Sequence, residues 1–154
     1  MEIEKRLQEL GYTLPVAPAK GGVYTPVKEF GENLAYVSGH VSKVEGLAIT
    51  GKLGADCSFE DGLKASELCA LNMLATIKAY LGDLDRIKSC VKMTVFVASH
   101  SDFYKQPQIA NAATELLVKI MGEEKGCPSR SAIGVPVLPG NFAVEIEMMI
   151  EIEK

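Results

Sequence analysis

Residues 59–97 read FEDGLKASELCALNMLATIKAYLGDLDRIKSCVKMTVFV, and the hydrophobic period changes partway along. Over 59–81, Ala65, Cys69, Met73, Ile77 and Tyr80/Leu81 recur on one helical face, with Leu68 and Thr76 at its edge. From 87 onward, Ile87, Val91, Met93, Val95 and Val97 alternate with Lys88, Cys90, Lys92, Thr94 and Phe96, the two-residue period of a strand. Ser58 stands where an N-cap belongs, Asp61 brings the pattern close to a capping box, and Gly82 is a natural stop. A long helix that feeds a strand within six residues sets the fold class as α/β.

Working outward, ENLAYVSGHVS (32–42) is a strand, so the chain contains a strand–helix–strand step. Its two strands run parallel if they share a sheet, with a right-handed crossover. Ahead of it, Ile3, Leu7 and Leu10 predict a short helix over 1–10 that stops at Gly11. TLPVAPAKGGVYTP (13–26) reads as an extended, turning segment. Residues 43–57 read as a Gly-containing loop with a short strand at LAIT. Downstream, Ile109, Ala113, Leu116, Leu117 and Ile120 predict a second helix over about 103–121, capped by Asp102, with Pro107 in its first turn. The loop GEEKGCP and two strands, 130–137 and 143–152, close the chain as a hairpin around LPGN. Two helices cover only one face of such a sheet. Tyr36, Cys90, Phe96 and Met149 fall on the other phase, which predicts a homo-oligomer with the open face inside it.

The 154 residues predict one domain, with 1–19 as an N-terminal extension. A chain of this length buries a proper core without staples. The formal net charge is −4, and the sixteen Lys and Arg are scattered. That argues against nucleic acid as a partner, which needs a basic face. The four cysteines form no CxxC pair, and with only His40 and His100 no zinc-type spacing appears. Cys69 and Cys90 read as small buried hydrophobes. The charged, amphipathic start is unlike a secretory signal, and the apolar runs are too short to cross a membrane. A reducing, cytoplasmic setting is the expectation.

There is no GxSxG, P-loop or GxGxxG. What remains is Arg130 in CPSRSAIGVPVLP (127–139), Glu145 on the strand expected to pair with it, and Asn111 on the second helix. Read alone, Glu145 is one of several acids on a solvated phase, and Asn111 is ordinary near a helix start. Arg130 is different, because guanidinium groups are seldom buried unpaired and their planar fork matches a carboxylate. It either holds Glu145 or awaits an anionic ligand.

CPSRSAIGVPVLPGNFAVEIEMMI (127–150) is similar to the C-terminal signature of the Rid/YjgF family, the reactive intermediate deaminases. There a Pro-x-Arg-Ser segment leads to a Leu-Pro turn and a Val/Ile-Glu-Ile-Glu strand. YVSGHV (36–41), VKMTVFVASHSDF (91–103), NAATELL (111–117) and GGVYTP (21–26) resemble further family motifs in the right order, so the likeness spans about 20–152. The resemblance implies a chorismate-mutase-like fold, a mixed sheet with two long helices on one face, and a homotrimer with ligand clefts between subunits. It implies that Arg130 grips the carboxylate of an α-imino or enamino acid and that Glu145 activates water. Tyr24, Ser38, Gly39 and Asn111 would line the cleft, and Ser131 and Ala132 would contribute backbone groups. The reaction releases a 2-oxo acid and ammonia and needs no metal or cofactor. Two departures stand out: Ala132 occupies the position where the deaminases usually carry Cys, and His40 replaces the usual Gln. They motivate an alternative, a non-catalytic trimer that binds a small carboxylate metabolite at the same cleft.

Overall fold

The computed structural model describes residues 2–154. Helix α1 (Glu2–Glu9) is followed by an irregular segment, then strands β1 (Val27–Phe30) and β2 (Leu34–Val41) and a small ribbon, β3 (Lys43–Val44) with β4 (Leu47–Ala48). Helix α2 (Phe59–Leu81) leads through a 3₁₀ turn into β5 (Ile87–Ala98). Then come α3 (Gln106–Met121), the single turn α4 (Glu123–Gly126), β6 (Ser129–Val135) and β7 (Val144–Ile152).

The helix–strand reading of 59–97 holds. Ser58 caps α2, accepting the Asp61 N–H at 3.1 Å, and Gly82 ends it at φ 82°, where a Cβ would be strained. Two features of α3 differ from expectation. It begins at Gln106, and Lys105 rather than Asp102 stands at its N-cap, with no side-chain cap; Pro107 lies in its first turn, as predicted. Asp102 instead sits in the preceding turn, where its N–H is 3.3 Å from His100 Nδ1.

The main sheet is mixed, with strand order β1-β2-β7-β5-β6. β6 pairs with β5 in parallel, and β7 pairs antiparallel with both β5 and β2. β2 and β5 are therefore parallel in direction, with β7 between them. The expected hairpin of the last two strands does not form, because β5 lies between β6 and β7. β1 was not visible in the sequence: its single buried residue, Val27, gives four residues no period.

α2 packs across β2 and β7, and α3 packs beside it against β6. Beneath them Ala35, Val37, Met93, Val95, Val97, Ile146, Met148 and Ile150 form the buried side of the sheet. Tyr36 stands exposed on the other face, with Phe96 and Met149 half-buried there. Cys90 is a correction. Register shifts between Ile87 and Ser89 and between Cys90 and Lys92 invert the phase of β5 locally. Cys90 therefore opposes Ile150 on the core side and is buried, while Val91 is only half-buried. Among the described residues, no helix is long and apolar enough to cross a membrane.

Candidate functional site

Arg130 lies on the edge strand β6, opposite Met93 of β5. Met93 is fully buried under the helices, so the side chain of Arg130 leaves the sheet on the same, helix-bearing side. Its Nη1 donates to Asn111 Oδ1 at 3.0 Å and Thr114 Oγ1 at 3.1 Å, and its Nη2 donates to the Pro107 carbonyl at 3.3 Å. All three acceptors belong to α3, where Asn111 and Thr114, three residues apart, share a helix face. They are neutral, so they orient the guanidinium without cancelling its charge. Among the described residues, Nε–H and the second Nη2–H have no protein partner. A fixed cation with donors to spare is a receptor for an anion. Beside it, Ala132 packs against the core, while Ser131 faces the other side and accepts from Lys92 Nζ at 2.9 Å.

Glu145 belongs to a different place. It lies on β7 between Val41 of β2 and Phe96 of β5, on the face away from the helices. It borders a cavity of about 890 Å3 that also takes in Tyr24, Ser38, Gly39, Lys20 and Lys43. Ser38 ties the irregular segment to β2: its N–H donates to the Pro26 carbonyl at 2.9 Å and its hydroxyl to the Thr25 carbonyl at 2.8 Å. Tyr24 folds back under its own turn, its hydroxyl accepting the Gly21 N–H at 3.1 Å. Gly39 stands directly against the Glu145 carboxyl group, which would have to shift to admit a Cβ there. Burial raises the Glu145 carboxyl above its ordinary pKa, and the neighbouring Glu147 charge adds to the effect. Such an upward shift makes the carboxyl a better proton acceptor than an ordinary carboxylate.

The predicted site residues thus fall into two groups. Arg130 and Asn111 touch, with Ser131 and Ala132 next to them on β6. Tyr24, Ser38, Gly39 and Glu145 line one cavity. The two groups do not meet within the chain. Glu145 and Arg130 were expected on paired strands, but β5 separates them, they leave the sheet on opposite faces, and Glu145 is level with Ile133, three residues further along β6. Two strand spacings alone amount to about 10 Å.

Sequence reasoning missed the props of this arrangement. Thr114 and the Pro107 carbonyl hold Arg130; the i, i+3 spacing of Asn111 and Thr114 was the available signal. Asn72 and Thr76, polar residues one turn apart on the buried side of α2, were another, for both reach β2. Among the described residues, no group of three or more His, Cys, Asp or Glu side chains is placed to hold a metal ion.

Residues 4–152 match the family model described as "YjgF/chorismate mutase-like, putative endoribonuclease". The chain is 40% identical over 151 residues to Protein TCP17 of Trypanosoma cruzi, covering 97% of this chain and 94% of the relative. Among solved structures, it is similar to the protein Atu1372 of Agrobacterium tumefaciens, described as of unknown function, at 41% identity and TM-score 0.90, covering 99% of this chain and 93% of that one. The YjgF gene product of E. coli is a more distant neighbour, at 27% identity and TM-score 0.59, with 92% and 98% covered. The drop in TM-score between these two structures sets this chain, with Atu1372, in a divergent branch.

Proposed function

The chain belongs to the YjgF/chorismate mutase-like (Rid) family, and we propose that it hydrolyses small α-imino acids and their enamine tautomers to 2-oxo acids and ammonia. The observation that carries this reading is Arg130, a guanidinium oriented by three neutral acceptors and left with donors for a carboxylate. In the proposed homotrimer, Arg130 of one protomer faces the Glu145 cavity of its neighbour. Two groups that sit on opposite faces of one sheet become complementary only across an interface between copies. The open sheet face, with Tyr36 exposed and Phe96 and Met149 half-buried, supplies apolar surface for that contact.

Arg130 holds the substrate carboxylate and so fixes the imine carbon over Glu145. Ionised Glu145 takes a proton from water as the water oxygen bonds to the carbon of the protonated imine (C=NH2+), whose π electrons pass to nitrogen. Glu145 then returns its proton to the amine nitrogen of the tetrahedral adduct. As the C–N bond breaks and ammonia leaves, the adduct's hydroxyl proton passes back to Glu145, which gives the 2-oxo acid and releases that proton to solvent. Imines already hydrolyse in water, so placement and proton transfer of about 10²–10⁴-fold suffice. No step uses a thiol at position 132, so Ala132 and Ser131 serve through their backbone. Tyr24 and Ser38 close the cavity wall around the reacting carbon.

The test is Arg130→Ala assayed on 2-iminopropanoate, with the oligomer verified by light scattering. A fall of about 10³-fold in kcat/KM is expected from the loss of a charge-assisted, bidentate contact. An unchanged rate contradicts the reading. A second reading, a carboxylate-binding module without turnover, is favoured by Ala132, which brings no nucleophile to the cleft. It predicts that pyruvate raises Tm in a protein that does not accelerate imine hydrolysis. RNA cleavage is disfavoured by the acidic pI near 5.3 and by Glu45, Glu145 and Glu147 around the cavity, which repel a phosphate backbone.

A further inference from the structure

Strand β2 contains a bulge where Gly39 meets the Glu145 carboxyl. Val37 pairs with Met148, yet His40 pairs with Ile146, so one extra residue is accommodated at Ser38–Gly39. Alternation would have sent Gly39 toward the helices. The extra residue sends His40 there instead and leaves Gly39 against the Glu145 carboxyl. A bulge frees backbone groups from the ladder, and these need partners. Here the Ser38 carbonyl finds its partner in the side chain of His40, whose Nδ1 lies 2.7 Å away, while the ring's Nε2 lies 2.7 Å from Thr76 Oγ1 on α2. Just beyond the bulge, Asn72 of α2 holds the chain as well, its Nδ2 donating to the Val41 carbonyl at 3.0 Å and the Lys43 carbonyl at 2.7 Å. A carbonyl can only accept, so Nδ1 carries the proton, and in the neutral ring Nε2 accepts the Thr76 hydroxyl. Asn72, Thr76 and His40 are all buried.

We infer that His40 is a positioning residue: locked between Ser38 and Thr76, it fixes the bulge whose apex, Gly39, sets where the Glu145 carboxyl rests. It touches no substrate in this account and acts through Glu145. Its kinetic consequence rests on the imine-hydrolysis reading, but its structural consequence does not. The ring is held in one tautomer at both nitrogens, and burial lowers its pKa, which keeps it neutral.

Two readouts test this on the full-length protein. The first is the NMR titration of the Glu145 carboxyl carbon in wild type, His40→Ala, His40→Asn and Thr76→Val. An Asn amide N–H stands where Nδ1–H stood and keeps the Ser38 bond. The Glu145 midpoint should lie above the ordinary carboxylate value in wild type and His40→Asn, and fall toward it in His40→Ala as water enters the loosened bulge. The second is steady-state kinetics with 2-iminopropanoate generated in situ. His40→Ala should lower kcat about 10- to 100-fold with KM within about threefold, since displacing a catalytic group by an ångström costs that much. His40→Asn should recover to within about fivefold, with Thr76→Val in between. An unmoved Glu145 titration in His40→Ala, or His40→Asn as impaired as His40→Ala, overturns the inference. If His40→Ala does not fold, Thr76→Val and His40→Asn decide it by the same titration. A wild-type protein without imine hydrolysis sinks the proposed reaction instead, and the titration alone then judges His40.

Discussion

The two ends of the candidate site are built in opposite ways. Arg130 is held by side chains: Asn111 and Thr114 on one face of α3, with one carbonyl, grip a long flexible residue on an edge strand. Glu145 is held by backbone: a bulge in the neighbouring strand, a glycine without a Cβ and a buried histidine set the wall it rests on. The first end therefore tolerates change in small steps, one hydrogen bond at a time. The second is coupled, because one change in the bulge moves Gly39 and, with it, the wall on which the Glu145 carboxyl rests.

That contrast orders the expected effects of substitution. At the second end, Glu145→Gln removes the proton carrier and should lower kcat about 10²–10⁴-fold, while calorimetry still detects pyruvate binding through Arg130. A parallel loss of pyruvate binding would mean that the two ends are not separate. The same variant has a stability signature. Glu145 has its pKa raised in the folded state, so its ionisation costs stability; the cost is absent below the ordinary carboxylate range and sets in as pH rises through the raised folded value. The Tm of Glu145→Gln should therefore exceed that of wild type at pH 7 to 8, with the gap closing near pH 4. Gly39→Ala should cost about 1–3 kcal/mol of stability by overpacking against Glu145, with a drop of about tenfold in kcat. If it folds and turns over normally, the bulge is not rigid. The smallest effect belongs to the first end. Asn111→Ala leaves Thr114 and Pro107 in place, so KM should rise about five- to tenfold with kcat nearly constant, as fits the loss of one hydrogen bond of about 1 kcal/mol.

Sequence patterning exposed the parts of the molecule with a strong period. α2 and β5 follow from apolar spacing, and the Ser58 cap and Gly82 stop from local chemistry. Pairing order was not legible, because nothing in residues 127–152 says that β5 lies between β6 and β7. Bulges were equally hidden: one inserted residue turns Cys90 inward in β5 and His40 inward in β2 without altering composition. Arg130 stood out as a candidate, and Asn111, ordinary when read alone and brought in by the family resemblance, is in contact with it. Glu145, read alone as one acid in a polar phase, gains a setting only once Gly39 and the cavity are seen. Thr76 was absorbed into a helix pattern and Asn72 was passed over, although a polar residue on a core-facing helix side signals a buried partner across from it.

The central claim is that Arg130 and Glu145 act together only across an interface between two copies of the chain. The most direct measurement co-assembles Arg130→Ala with Glu145→Gln in equal amounts and assays 2-iminopropanoate hydrolysis. In a cyclic oligomer with random mixing, about one site in four then pairs an intact Arg130 with an intact Glu145 from its neighbour. About a quarter of the wild-type rate should return, from two variants that are each nearly inactive. No recovery, with mixed oligomers verified by mass spectrometry, would contradict it.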